Sequence, residues 1–137
     1  KDLIITAGGK NVAPQNIENQ LKAEALISQV MVHGDRRQYL VALITLDEEE
    51  FANWRVESGN ESTPPALLVN DSALRRQVEA LVDRHNQSLA RYERIKKFVI
   101  VGEDFSVENG LLTPTLKVKR REIEKRYGSL LAGFYEE

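Results

Sequence analysis

The run Tyr39–Leu46 reads YLVALITL, with no charged residue in it. It falls far short of the about 20 apolar residues that a membrane-spanning helix needs. Its alternative is a β-strand that is apolar on both faces. Such a strand must be covered on both sides, which makes it a central strand. A chain of 137 residues suits one domain. At that size it can bury a core without disulfide or metal staples. Apolar and charged fractions of 42% and 29% are those of an ordinary globular protein.

Leu3–Thr6 is a short apolar, β-favouring run, followed by the glycine loop Ala7-Gly8-Gly9-Lys10-Asn11. Pro14 then suits the first turn of a helix, where its missing N–H costs nothing. Ile17, Leu21 and Ala25 mark the buried face of that helix. Gln29–His33 is a second strand, joined to Tyr39–Leu46 through a turn at Gly34-Asp35-Arg36-Arg37. Asp47 caps the next helix, with Glu48, Glu49 and Glu50 in its first turn, where the helix dipole favours them. Phe51 and Trp54, three apart on one face, read as core. Glu57–Pro65 is a polar loop ended by proline. Asp71 or Ser72 caps a longer helix with Leu74, Val78, Leu81, Val82, His85 and Leu89 at helical spacing. A strand at Lys97–Val101, a polar connection over Glu103–Asn109 and a last helix over Lys119–Leu131 complete the chain. The order predicts an α+β domain, a small mixed β-sheet with helices packed on it.

A net charge of −2 gives no global attraction to nucleic acid or to an anionic membrane. The absence of cysteine excludes disulfides, thiolate catalysis and cysteine metal sites. His33 and His85 have no second histidine or carboxylate at metal-ligand spacing, so no metal site is expected. No G-x-S-x-G nucleophile elbow occurs. Arg91, Arg94, Lys96 and Lys97 read as a solvated basic surface. The start, Lys1-Asp2-Leu3, has no initiator methionine and no signal-peptide layout, as in a piece of a longer protein.

The segment with most chemistry is Leu111–Arg121, LLTPTLKVKRR. Pro114 fixes its own φ and holds Thr113 extended. The loop can therefore present one long side chain, Lys117, ahead of a basic helix. A lysine ammonium reaches a phosphate as a point charge. Lys119, Arg120, Arg121, Lys125 and Arg126 follow, diluted by Glu122 and Glu124. Basic groups at a helix N-terminus oppose its dipole. Taken alone, the pattern reads as a solvated basic face or an anion-binding segment, and no further.

The two ends together resemble the C-terminal domain of the acyl-adenylate-forming enzymes, most closely the long-chain fatty acyl-CoA synthetases. That family carries a lysine in a segment like P-x-G-K, ahead of a basic or polar helix. Its long-chain variant looks like LTPTLKVKR, with leucine where many relatives have glycine, and Leu112–Arg120 matches it throughout. The resemblance implies that Lys117, not Lys119, is the catalytic residue. It would contact the attacking carboxylate and the ATP phosphate, where an ammonium offsets the repulsion between two anions. At the other end, KDLIITAGGKNVAPQNIE (Lys1–Glu18) is similar to the family's hinge, G-R-x-[DK]-D, and the strand and loop after it. Lys1 takes the hinge position and Asp2 the aspartate that follows. The loop of Gly8, Gly9 and Lys10 would line the pantetheine tunnel of CoA. It is one residue longer than the commoner single-glycine loop, so both glycines stand as candidates.

The resemblance thus implies a single C-terminal lid domain over residues 1–137, which swings against an N-terminal adenylation domain that this sequence lacks. The whole enzyme would join a fatty acid to CoA with ATP and Mg2+, through acyl-AMP, and the lid by itself would be inactive. No nucleic-acid partner is expected. A cytoplasmic location follows, with peripheral membrane association of the full enzyme left open. Arg91, Arg94, Lys96 and Lys97 would then face the partner domain or the phosphates of CoA. Two other readings remain on the residues alone. One is another adenylating branch, such as an aryl ligase or a peptide-synthetase module, against which LTPTLKVKR argues. The other is a module that binds an anion or RNA through Lys117–Arg126, against which the negative net charge and missing RRM aromatics argue.

Overall fold

The computed structural model describes residues 2–136. In chain order these form β1 (Ile4–Ile5), β2 (Asn11–Val12), α1 (Pro14–Lys22), β3 (Ile27–His33), β4 (Leu40–Leu46), α2 (Glu48–Glu57), α3 (Pro65–Leu68), α4 (Ser72–Asn86), β5 (Ile95–Ile100), α5 (Arg120–Arg126) and α6 (Gly128–Gly133). A 3-10 turn at Arg91–Glu93 precedes β5. Lys1, the expected hinge residue, lies outside the described residues.

The apolar run is the central strand of a three-stranded mixed sheet. β4 pairs antiparallel with β3 and parallel with β5, in the order β3-β4-β5. The parallel pair needs a crossover, and α2, α3 and α4 supply it. Leu40, Ala42 and Ile44 point into one core with Ile17 and Leu21 of α1 and Leu74, Val78 and Val82 of α4. Val41 and Leu43 point into a second core with Met31, Phe105, Leu111, Ile123 and Leu131. All five of those β4 residues are 0% exposed. Burial of each of the larger ones, Leu40, Val41, Leu43 and Ile44, stabilises by roughly 1.5–3 kcal/mol. Thr45, the one hydroxyl within β4, accepts from Gln29 N at 2.9 Å and donates to Asp104 Oδ1 at 2.6 Å.

β1 is not part of this sheet. It makes a two-stranded antiparallel ribbon with β2 and docks on the β3–β4 turn. Ile5 N donates to Asp35 Oδ1, Arg36 N to Ile5 O and Ala7 N to Arg37 O, at 3.0, 2.8 and 2.9 Å. Gly34 suits that turn, because a Cβ there would overlap the end of the Leu40 side chain and crowd the Tyr39 carbonyl, so its neighbours would have to shift.

The capping expectations hold. Asp47 accepts from Glu50 N, and Asp71 accepts from Ala73 N and Leu74 N, each at 3.0 Å. Phe51 and Trp54 stack 6.1 Å apart and pack, partly buried, against the first core. Two expectations fail. α1 stops at Lys22, so Ala25 lies in the exposed turn to β3 and Leu26 takes the buried place. The predicted last helix breaks at Tyr127, with φ −110° and ψ 23°. Gly128 then starts α6, which turns Leu131 into the second core. No helix among the described residues is long and apolar enough to cross a membrane.

Candidate functional site

Lys117 sits on a tight hairpin. Leu112 and Val118 form an antiparallel bridge, Thr113 N donates to Lys117 O at 2.8 Å, and Leu116 N to Thr113 O at 2.7 Å. Thr113 Oγ1 accepts from Lys117 N at 3.1 Å. Thr113 therefore closes the loop from both its backbone and its side chain, as its position before Pro114 suggests. Leu116 takes φ 67°, in the left-handed region, and is 57% exposed. The hairpin leaves the Lys117 side chain exposed. It flanks a cleft of about 110 Å³ against α1, lined by Gln15, Glu18, Asn19 and Lys22.

The basic run after Lys117 is not one solvated face. Arg120, three residues on, turns inward and its side chain is 11% exposed. Its fork donates to Glu18 Oε2 at 2.8 Å and Oε1 at 3.1 Å, a bidentate pair. It also donates to Val32 O at 2.8 Å and to Asp2 Oδ2 at 3.0 Å. Glu18 is 3% exposed and accepts a further bond from Val32 N at 2.7 Å. Burial raises the Glu18 pKa and Arg120 opposes the rise. The guanidinium does not lose its proton, so its charge and its two donors face the Glu18 carboxyl directly. Arg126 pairs with Glu103 at 2.6 Å and Lys125 with Glu122 at 3.4 Å. Lys119 and Arg121 remain exposed.

The glycine segment forms the β1–β2 hairpin. Thr6 N donates to Lys10 O and Gly9 N to Thr6 O, each at 2.9 Å. Gly9 has φ +82°, a conformation that strains other residues, whereas Gly8 lies outside the left-handed region. Both are exposed. Lys10 projects over the Tyr92 ring, 5.7 Å from its centroid. There it lines a groove of about 790 Å³ with Tyr39, Arg91, Tyr92, Arg94 and Lys96. Three cations of the second basic cluster thus converge with one from the glycine loop, although they are remote in sequence. This groove and the lysine cleft share no lining residue.

The histidines find carboxylates. His33 Nδ1 lies 2.7 Å from Glu124 Oε2, and His85 Nε2 lies 2.7 Å from Glu24 Oε2. Among the described residues no group of three His, Cys, Asp or Glu side chains converges as for a metal ion.

The family model described as the AMP-binding enzyme C-terminal domain matches residues 1–137. The chain belongs to that family. Among its relatives, this AMP-binding C-terminal domain is 41% identical over 138 residues to the long-chain-fatty-acid–CoA ligase FadD15 of Mycobacterium tuberculosis. That match covers 98% of the chain and 23% of the ligase. It is 33% identical to long chain acyl-CoA synthetase 7, peroxisomal, of Arabidopsis thaliana, over 100% of the chain and 20% of that protein. It thus spans less than a quarter of the length of these relatives. Among solved structures, the adenylation domain of a carboxylate reductase from Mycobacterium chelonae superimposes with a TM-score of 0.78 at 24% identity, covering 97% of the chain and 19% of that structure. At that identity the likeness speaks for the fold.

Within this AMP-binding C-terminal domain, the structure brings Asp2 to the base of the lysine hairpin through Arg120, and keeps Gly8, Gly9 and Lys10 on another surface. Sequence reasoning missed the Arg120–Glu18 pair. Its signal was present: Pro14, Ile17, Glu18 and Leu21 are the buried stripe of α1, and a carboxylate on such a stripe needs a partner.

Proposed function

We propose that this domain is the moving lid of a long-chain fatty acid–CoA ligase. In the first half-reaction a fatty-acid carboxylate oxygen attacks the α-phosphorus of ATP and pyrophosphate leaves. Lys117 sits between the two anions and offsets their repulsion as charge builds on the phosphoryl group. In the second, the sulfur of CoA attacks the acyl carbonyl, the thiol proton is lost and AMP departs. The lid then presents the hairpin of Gly8, Gly9 and Lys10, with the adjoining groove of Arg91, Arg94 and Lys96 toward the phosphates of CoA. The domain turns on Lys1 between the poses, with Asp2 the hinge-motif aspartate that follows it, and the partner is the ligase's own N-terminal domain. Mg2+ would travel with ATP. The described residues offer it no cluster of three carboxylate or imidazole groups, and no step assigned to this domain passes through it.

One observation carries the reading. One small domain presents two sites of different chemistry, an exposed lysine on a closed hairpin and a glycine turn beside a cationic groove, with no shared lining residue. One fixed contact with a partner domain does not readily use both, whereas rotation on a hinge does. The test is Lys117→Ala in the full-length ligase. Acyl-AMP formation is expected to fall by roughly 100-fold or more, the scale of losing one transition-state charge contact, while acyl-CoA formation from supplied acyl-AMP persists. Equal loss of both half-reactions would sink the reading.

A further inference from the structure

A hinge that swings a domain on one residue needs the next residue fixed to the moving body. Otherwise the bend spreads along the chain and the far end arrives in no set place. Asp2, next to the expected hinge residue, lies outside any strand, since β1 starts at Ile4. Its side chain is 43% exposed. What ties it down is the 3.0 Å bond from Arg120 Nε. The remaining donors of the same guanidinium hold Glu18 of α1 and the Val32 carbonyl of β3. Arg120 also opens α5, directly after Lys119, whose N–H closes the base of the lysine hairpin on Leu111 O at 2.8 Å. One planar fork therefore joins the hinge side, two elements of the first core and the C-terminal leg of the hairpin that carries Lys117.

Stability alone accounts poorly for this arrangement. Two buried charges cost desolvation that their attraction barely offsets, and apolar side chains of the same size often do as well. What the fork supplies is fixed relative placement, and Arg does so better than Lys because its donors are preorganised in a plane.

On the reading of function given above, we propose that Arg120 is the positioning residue that locks Asp2 and the lysine hairpin into one rigid body, so that rotation at the hinge delivers Lys117 in register with the reacting atoms. The glycine hairpin does not depend on it, being held by Asp35, Arg36 and Arg37.

The experiment uses the full-length ligase with Arg120→Lys, Asp2→Ala and, as reference, Lys117→Ala. Single-turnover acyl-AMP formation, acyl-CoA formation from supplied acyl-AMP, and thermal unfolding are measured for each. Arg120→Lys is expected to lower kcat for adenylation roughly tenfold with KM for ATP unchanged, as a small misplacement of a catalytic group does. Thioester formation should stay within about twofold. Asp2→Ala removes a half-exposed partner and leaves the buried pair intact, so it tests the idea even if Arg120→Lys fails to fold. Its expected loss is about threefold, in adenylation only. Unchanged adenylation in the folded variants, or a fall in both half-reactions that tracks loss of folded protein, overturns the proposal. If Lys117→Ala cripples adenylation while the other two do not, only this inference fails. If Lys117→Ala is harmless, the functional reading falls as well.

Discussion

Leu116 holds a backbone conformation that leucine disfavours, next to the residue expected to do the chemistry. A side chain with a Cβ loses about 1–2 kcal/mol in the left-handed region, and strain of this kind gathers at functional loops. Asparagine tolerates the same region, because its short side chain bonds locally. Leu116→Asn is therefore expected to raise the stability of the domain by about 0.5–1 kcal/mol, measured by denaturant unfolding. A fall in stability would mean that the exposed leucine packs usefully within the domain itself. At this scale much was legible. Pro114 announced a constrained loop that presents Lys117, and Gly8-Gly9 announced a turn; that Thr113 closes the loop on Lys117 came from the structure. That Gly9 takes the positive φ and Gly8 does not depends on the ribbon register, which sequence leaves open.

Single elements were legible where one residue's neighbours in sequence decide its role. Asp47 and Asp71 cap helices because their side chains reach N–H groups only two or three residues away. The end of α1 was misread because an alanine fits a buried or an exposed place equally well. The break at Tyr127 was missed because the second core, not local propensity, draws Leu131 inward. Just past α1, Glu24 ties that helix to α4, accepting from Arg84 at 2.6 Å and lying 2.7 Å from His85. Arg84's hydrogen bond, followed by that of His85, holds the Glu24 carboxyl below its ordinary range. A depressed carboxylate contributes stability that is present above its unfolded pKa and is lost as pH falls through the folded one. Wild-type and Glu24→Gln domains should therefore differ most above about pH 4.3. They should converge on further acidification, followed by denaturant midpoints across a pH series. A constant difference at all pH values would show that the bridge is not electrostatic.

The whole molecule assembles what no window of sequence contains. The groove draws Lys10 from the first hairpin and Arg91, Arg94 and Lys96 from the approach to β5. Read along the chain, the second of these is a solvated patch. On the proposed function, charge reversal by Arg91→Glu with Arg94→Glu in the full-length protein is expected to raise KM for CoA several-fold. The effect should shrink at high salt, because exposed charges are screened within about 10 Å at 0.1 M. A salt-independent change would point to lost packing instead.

The sequence by itself determined the double-faced strand, the α+β class, the caps, the proline-pinned lysine loop and the family, all of which rest on local spacing and on motifs read along one dimension. Only the tertiary structure decided that β1 leaves the main sheet, that the last helix breaks, and that Arg120 turns inward to join Asp2, Glu18 and Val32. The physical reason is that a charged side chain's place depends on what faces it. An arginine with no partner stays in water, whereas one that meets a buried carboxylate and a free carbonyl can be buried. Those partners lie 102 and 88 residues away in the chain, beyond the reach of any periodicity.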